Sequence, residues 1–155
     1  MEYFHQTVRE IMSRPARTVA PEMTLGDLLR LFSSNDFDAY PVTRDQELVG
    51  IVSRADLIKP FAAKVAPNAL DCDAIMGTTV EQIMSTRVVT VKLDATVDQL
   101  IDLMSAHDFE SFPAVDGRNC VKGIVARDDV VRTLAMSTWR SSLPLELRPF
   151  GYAIA

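Results

Sequence analysis

The chain is poor in the residues that reactive or cross-linked sites need. Its 155 residues include two cysteines, two histidines and one tryptophan. Cys72 and Cys120 form no C-x-x-C pair, and His5 and His107 are remote from each other, so metal-ligand spacing is absent. The thiols are expected to be free in a reducing cytoplasm, and spacing alone leaves a bridge between them open. Neither histidine has an activated nucleophile beside it, so no enzyme activity is expected. Positive charge is also short. Lys and Arg number 16 against 21 Asp and Glu, for a net charge of −5 and a pI near 5.0. That disfavours nucleic acids and anionic membranes as partners but not a small anion in a local pocket. No apolar run reaches the roughly 18 residues of a membrane span, and no N-terminal apolar run reads as a signal peptide, so the expected location is cytoplasmic.

Repetition, by contrast, is plain. Val8–Val42 matches Val80–Ala114 at a constant offset of 72, with 13 identities in 35 positions. The match resumes for Gly50–Ile58 against Gly123–Val131 at an offset of 73, one residue having entered a loop. Apolar content of 48% and charged content of 24% are those of an ordinary globular domain. One repeat alone would be marginal, so the two are expected to pack as one folding unit. The boundaries read as 8–60 and 80–138 for the repeats, with a joining arm at 61–79 and a tail at 139–155.

Each repeat opens on an amphipathic turn ending in Ile-Met-Ser, at Ile11–Ser13 and Ile83–Ser85. Short strands are expected at Arg17–Ala20 and Val88–Val91. Thr24 is the natural cap of the next helix, with Asp27 as a short-armed capping acid. Leu25, Leu28, Leu29, Leu31 and Phe32 give it an apolar stripe, repeated by Val97, Leu100, Ile101, Leu103 and Met104. Tyr40-Pro41-Val42 and Phe112-Pro113-Ala114 read as strands with edge prolines. Leu48–Val52 and Val121–Val125 are the most apolar strands, and each runs directly into a helix, from about Arg54 and Arg127. The order strand, helix, strand, strand, helix occurs twice. The arm between the copies has a weak helical pattern. The tail after Ser141 is too apolar for a solvated end and is expected to lie across the domain or against a second subunit.

Chemistry concentrates where those last strands end, at Gly50–Asp56 and Gly123–Asp129. Helix-start N–H groups there favour an anionic or hydroxyl-rich ligand. Ser53 occupies an N-cap position and Asp56 lies three residues on. A carboxylate so placed can accept the vicinal hydroxyls of a ribose, and Arg54 could reach a phosphate. Ser53 with Asp56 is equally a plain capping box. The recurrence of Arg127 and Asp129 in the second repeat favours a shared role beyond capping.

These segments resemble the CBS domain family, in its paired form called a Bateman module. The resemblance is carried by Ile11-Met12-Ser13, Thr18-Val19, Phe37 to Pro41-Val42 and Gly50 to Asp56. Their partners are Ile83-Met84-Ser85, Thr90-Val91, Phe109 to Pro113 and Gly123 to Asp129. It implies an α/β (α+β) fold of two pseudo-twofold-related repeats, each a three-stranded sheet with packed helices. It also implies clefts for an adenosyl ligand such as AMP, ADP, ATP or S-adenosylmethionine, with Asp56 and Asp129 on ribose and Thr18 and Thr90 on base and sugar. Lesser contributions are implied for Val19, Val91, Tyr40, Pro41, Phe112, Pro113 and Ala126. Ala126 replaces the hydroxyl expected there, so the Ser53–Asp56 cleft should be the tighter. Asp38 and Glu110 stand where relatives carry bases, leaving phosphate to Arg54 and Arg127, with Arg14, Arg17 or Arg87 in support. The expected role is ligand sensing, exerted on a separate effector protein or through a homodimer, because Met1–Thr7 and the tail read as too short for an attached effector. Leu28, Leu29, Phe32, Ile101 and Met104 are the expected dimer contacts. The competing expectation is a structural module with vestigial clefts.

Overall fold

Residues 5–62 and 72–142 are described by the structure, a computed structural model, with side chains through 137. The first repeat comprises α1 (Val8–Ile11), α2 (Leu25–Ser34), β1 (Ala39–Arg44), β2 (Glu47–Ser53) and α3 (Arg54–Ala62). The joining arm contributes α4 (Cys72–Met76). The second repeat follows with α5 (Val80–Ile83), β3 (Val91–Lys92), α6 (Val97–Ala106), β4 (Ser111–Val115), β5 (Val121–Ala126) and α7 (Arg127–Ser142). The apolar-tail expectation falls beyond Ser142, outside the described residues. Cys72 and Cys120 are free thiols.

Local sequence accounts for most helix starts. Thr24 Oγ1 accepts the N–H of Asp27 at 3.3 Å, as the cap of α2 requires. The Asp27 carboxylate does not close the box; it pairs with Arg30 at 3.1 Å instead. Gln99 and Gln82, one methylene longer than Asp, do reach back to the N–H groups of Thr96 and Thr79. The stripe on α2 buries Leu25, Leu28 and Phe32, and that on α6 buries Val97, Leu100 and Met104.

β1 and β2 form an antiparallel hairpin with Pro41 opposite Ile51. Asp45 and Gln46 close it with positive φ of 51° and 72°. In the second repeat β3 lies parallel to β4, and β4 antiparallel to β5. The three-stranded sheet expected of both repeats is therefore complete only in the second. In the first, the expected strand at Arg17–Ala20 shrinks to one bridge at Val19, whose N–H donates to Pro41 O and whose carbonyl accepts from Thr43 N, both at 3.0 Å. The next ladder donor would be residue 21. It is proline, without an N–H, where the second repeat has Leu93. The Val88–Val91 expectation is likewise displaced to Val91–Lys92, which leaves Val88 and Val89 outside the sheet.

The two repeats exchange their opening turns. Val8 and Met12 are buried with Leu93, Leu100, Phe112 and Val125 of the second repeat. Val80 and Ile83 are buried with Leu25, Leu28, Tyr40 and Val52 of the first. Backbone bonds hold the exchange: Val8 N to Ala95 O at 2.8 Å, and Val80 N to Met23 O at 2.9 Å. After each turn the chain crosses the other repeat's last strand in an antiparallel bridge, Ser13 with Ile124 and Ser85 with Ile51. This crossing requires Gly50 and Gly123. A Cβ would come within 3.0 Å of Ser85 O at Gly50 and within 2.9 Å of Ser13 O at Gly123.

Exposure corrects the expected dimer contacts. Leu28, Phe32 and Met104 are buried, and Leu29 and Ile101 pack half-buried against the same cores. One amphipathic stripe per helix is consumed by its own core. Among the described residues, the large exposed apolar side chains of the last helices are Ile58 (64%) and Phe61 on α3, and Val131 (61%) and Met136 on α7.

Candidate functional site

The crossing at Ile51 and Ser85 opens a cleft of about 410 Å³ between the repeats. One wall is the β2–α3 junction, with Ile51, Ser53, Arg54, Ala55 and Asp56, beside Asp38 and Ala39. The other wall comes from the second repeat: Ser85, Arg87, Val88, Val89 and the run from Asp108 to Ser111. Ser53, Arg54 and Asp56 thus stand together as the sequence suggests. Thr90 follows Val89 out of this wall and is not itself a lining residue. The exchange also sets which segment serves which aspartate. Residues 85–89 face Asp56. Their counterparts 13–17, which include the approach to Thr18, cross at Ile124 toward the Asp129 junction.

Asp56 is 5% exposed. Its Oδ2 accepts the Ser53 N–H at 2.8 Å and the Ser53 hydroxyl at 3.0 Å, while Oδ1 is paired with Lys59 Nζ. The capping box is therefore real. It also leaves acceptor capacity, because an ionised carboxylate has about four lone-pair positions and three are occupied. Lys59 is more than half exposed, so water can replace its ammonium at Asp56. Asp129 is built alike but more sparely. Its Oδ2 accepts the Ala126 N–H at 2.8 Å with no side-chain donor beside it, and its Oδ1 meets Arg132 at 3.4 Å.

Both arginines are engaged with groups of the chain itself. Arg127 turns back over the end of α6. Its Nε donates to Phe109 O at 2.9 Å and its Nη2 to Met104 O at 3.0 Å and His107 O at 2.8 Å. The last carbonyls of a helix lack internal partners, and a planar cationic fork satisfies them well. Arg127 thus clamps the end of α6 through its guanidinium. Arg54 stays at the cleft but is engaged there. It donates to Asn35 O at 3.3 Å, lies 4.0 Å from both Asp36 and Asp38, and stacks over Phe32 at 5.4 Å. Arg17 bonds Asn35 Oδ1 at 2.8 Å.

Several implied contributors have their side chains in the cores. Val19, Tyr40, Val91 and Phe112 are buried there, with Pro41 and Pro113 buried beside them, and the cleft takes their neighbours Ala39 and Ser111. Burial pushes the Tyr40 phenol above its ordinary pKa, with Arg17 and Arg54 opposing. Among the described residues its hydroxyl has no hydrogen-bond partner. Sequence reasoning missed Ser85, Val88, Val89 and Phe109 as lining residues. The repeat offset is the signal that could have found them, since all four lie inside the matched stretch Val80–Ala114. Among the described residues no group of three or more His, Cys, Asp or Glu could hold a metal ion, and no helix is long and apolar enough to cross a membrane.

This arrangement has known counterparts. MJ1426 of Methanocaldococcus jannaschii is 27% identical over 152 residues, covering 82% of this chain and 90% of that one. Several longer relatives are spanned by this chain over 48% of their length or less. Among solved structures, the CBS domain pair of MJ0100 in complex with 5′-methylthioadenosine and S-adenosyl-L-methionine superposes with a TM-score of 0.70. It is 25% identical, and 85% of this chain and 98% of that one are covered. CBSX2 in complex with AMP has a TM-score of 0.72 at 25% identity, covering 85% and 98%. The CBS domain profile matches residues 8–62 and again 80–136. With its duplicated strand–helix junctions, exchanged opening turns and shared cleft, the chain belongs to the CBS domain family, a regulatory and non-catalytic family, and carries two such domains in tandem as a Bateman module.

Proposed function

We propose that the chain is a ligand-sensing regulatory module that takes an adenine nucleotide or related adenosyl compound into the Asp56 cleft. The observation that carries this reading is the cleft itself. A buried carboxylate with an open acceptor position sits at a helix start beside Ile51, facing apolar Val88 and Val89 across about 410 Å³. Small-ligand pockets occupy roughly 300–1,000 Å³. The apolar wall suits a flat base and Asp56 suits a ribose diol. The ligands of MJ0100 and CBSX2 share an adenosine part, which supports the same class here. Because both repeats build the cleft, occupancy would bias their relative placement. A homodimer through the exposed faces of α3 and α7, or a separate effector protein, would receive that change. ADP and ATP are further members of the proposed ligand class. The domain boundaries at 60, 80 and 138 are part of the same reading.

A second reading rests on the capping geometry. Asp56 and Asp129 both already serve their own helix starts, so a structural module with vestigial clefts is consistent with the same contacts. Thermal shift with AMP, ATP and S-adenosylmethionine separates the two. A folded-state ligand at a hundred times its Kd adds about 2.7 kcal/mol of stability. Asp56→Ala should weaken binding by about 1.5–3 kcal/mol, and Asp129→Ala should weaken it less. No shift with any adenosyl compound would establish the structural reading.

A further inference from the structure

Six ionisable side chains line the Asp56 cleft: Asp38, Arg54, Asp56, Arg87, Asp108 and Glu110. Their neighbours sort them. Asp56 is compensated by Lys59. Arg54 is committed to Asp38, Asp36 and a backbone carbonyl, and stacks on Phe32. Arg87 alone among the lining cations has no hydrogen bond or ion pair within the described residues, and Asp108 and Glu110 have no cation within pairing distance of their carboxylates. The pseudo-symmetric position to Arg87 is Pro15, so no matching cation stands at that point of the other crossing.

We infer that Arg87 is the phosphate-reading residue of this cleft, and that Asp108 and Glu110 hold its capacity to a single phosphate. This rests on the adenosyl reading above and specifies its ligand: an adenosine compound bearing one phosphate, in preference to one bearing three. The physical reason is local charge balance. One free guanidinium can form a bidentate pair with a phosphate monoester. A triphosphate would bring further negative charge past two exposed, uncompensated carboxylates that line the same cleft, inside the screening length of about 8–10 Å at which like charges still repel. Arg127, clamped on the end of α6, and Arg54, held among carboxylates, cannot supply the missing cations without giving up existing bonds.

The test is calorimetric titration of the full chain with adenosine, AMP and magnesium-free ATP, read at the site that Asp56→Ala weakens. The parent should prefer AMP over adenosine by about tenfold or more, the strength of one charge-assisted contact. Arg87→Met should erase that preference. Its melting temperature should match the parent, because Arg87 is exposed and makes no hydrogen bond or ion pair among the described residues. Asp108→Asn with Glu110→Gln should raise ATP affinity relative to AMP by about tenfold. An unchanged AMP-to-adenosine ratio in Arg87→Met, or tighter ATP than AMP in the parent, overturns this inference while leaving the adenosyl reading intact. Failure of adenosine, AMP and ATP all to bind the parent overturns both.

Discussion

Replacing Arg127 with methionine tests whether this residue is the clamp the geometry describes. Met keeps much of the unbranched stem but loses the fork. Three bonds disappear, to Met104 O at 3.0 Å, His107 O at 2.8 Å and Phe109 O at 2.9 Å. The two Nη2 bonds are partly buried and the Nε bond is exposed. A hydrogen bond to a charged group contributes about 1.5–3 kcal/mol when shielded and less when water can replace it. Two shielded bonds made by one nitrogen are not additive, and the carbonyls regain some water in the variant. A cost of about 3 kcal/mol is therefore expected. Arg54→Met is the internal control, because its pseudo-symmetric guanidinium makes one carbonyl bond of 3.3 Å and ion pairs no shorter than 4.0 Å. Exposed pairs of that kind contribute about 0–1 kcal/mol. Arg127→Lys should recover little, since a single ammonium nitrogen cannot reproduce the spaced Nε and Nη2 donors of the guanidinium fork. Urea unfolding with a shared m-value gives the comparison. Equal costs for Arg54→Met and Arg127→Met, or full rescue by lysine, would refute the clamp.

Tyr40→Phe should be neutral or stabilising by up to about 1–3 kcal/mol, because the hydroxyl is buried without a partner and Phe112 already fills the equivalent place; a drop in urea midpoint would show the hydroxyl to be satisfied. Gly123→Ala should destabilise by several kcal/mol, on the order of other overpacked core sites, since the new Cβ meets the Ser13 carbonyl at 2.9 Å. Wild-type stability in that variant would mean the crossing can shift. The N–H groups of Cys120 and Arg118 hold the Asp116 carboxyl below its ordinary pKa of 3.8. A depressed pKa contributes stability above the unfolded value that is lost as pH falls from about there through the folded value. Asp116→Asn should therefore lie closer to the parent at pH 2 than at pH 7 in urea midpoint, and a constant gap would contradict the assignment.

The sequence by itself determined the parts whose causes are local. A constant repeat offset, a Thr cap three residues ahead of a polar side chain, apolar stripes at helical spacing and a glycine-led strand running into an acidic helix start all express short-range rules. They placed α2, α6 and the Ser53–Asp56 junction, and they carried the family resemblance. The loss of the third strand at Pro21 was also written locally, in a missing N–H, but needed the register of Val19 on Pro41 to be seen. Tertiary structure alone decided the rest. Periodicity shows that Val8 and Val80 face a core but not whose core, and each turned out to serve the other repeat. That exchange brings Arg87 and Val89 opposite Asp56. Arg54 and Arg127 occupy matching positions in sequence, yet one meets carboxylates and the other the carbonyl end of a helix. A long cationic side chain takes whichever acceptors lie within reach. Those acceptors come from residues far away in the chain, so their identity is a property of the packed molecule.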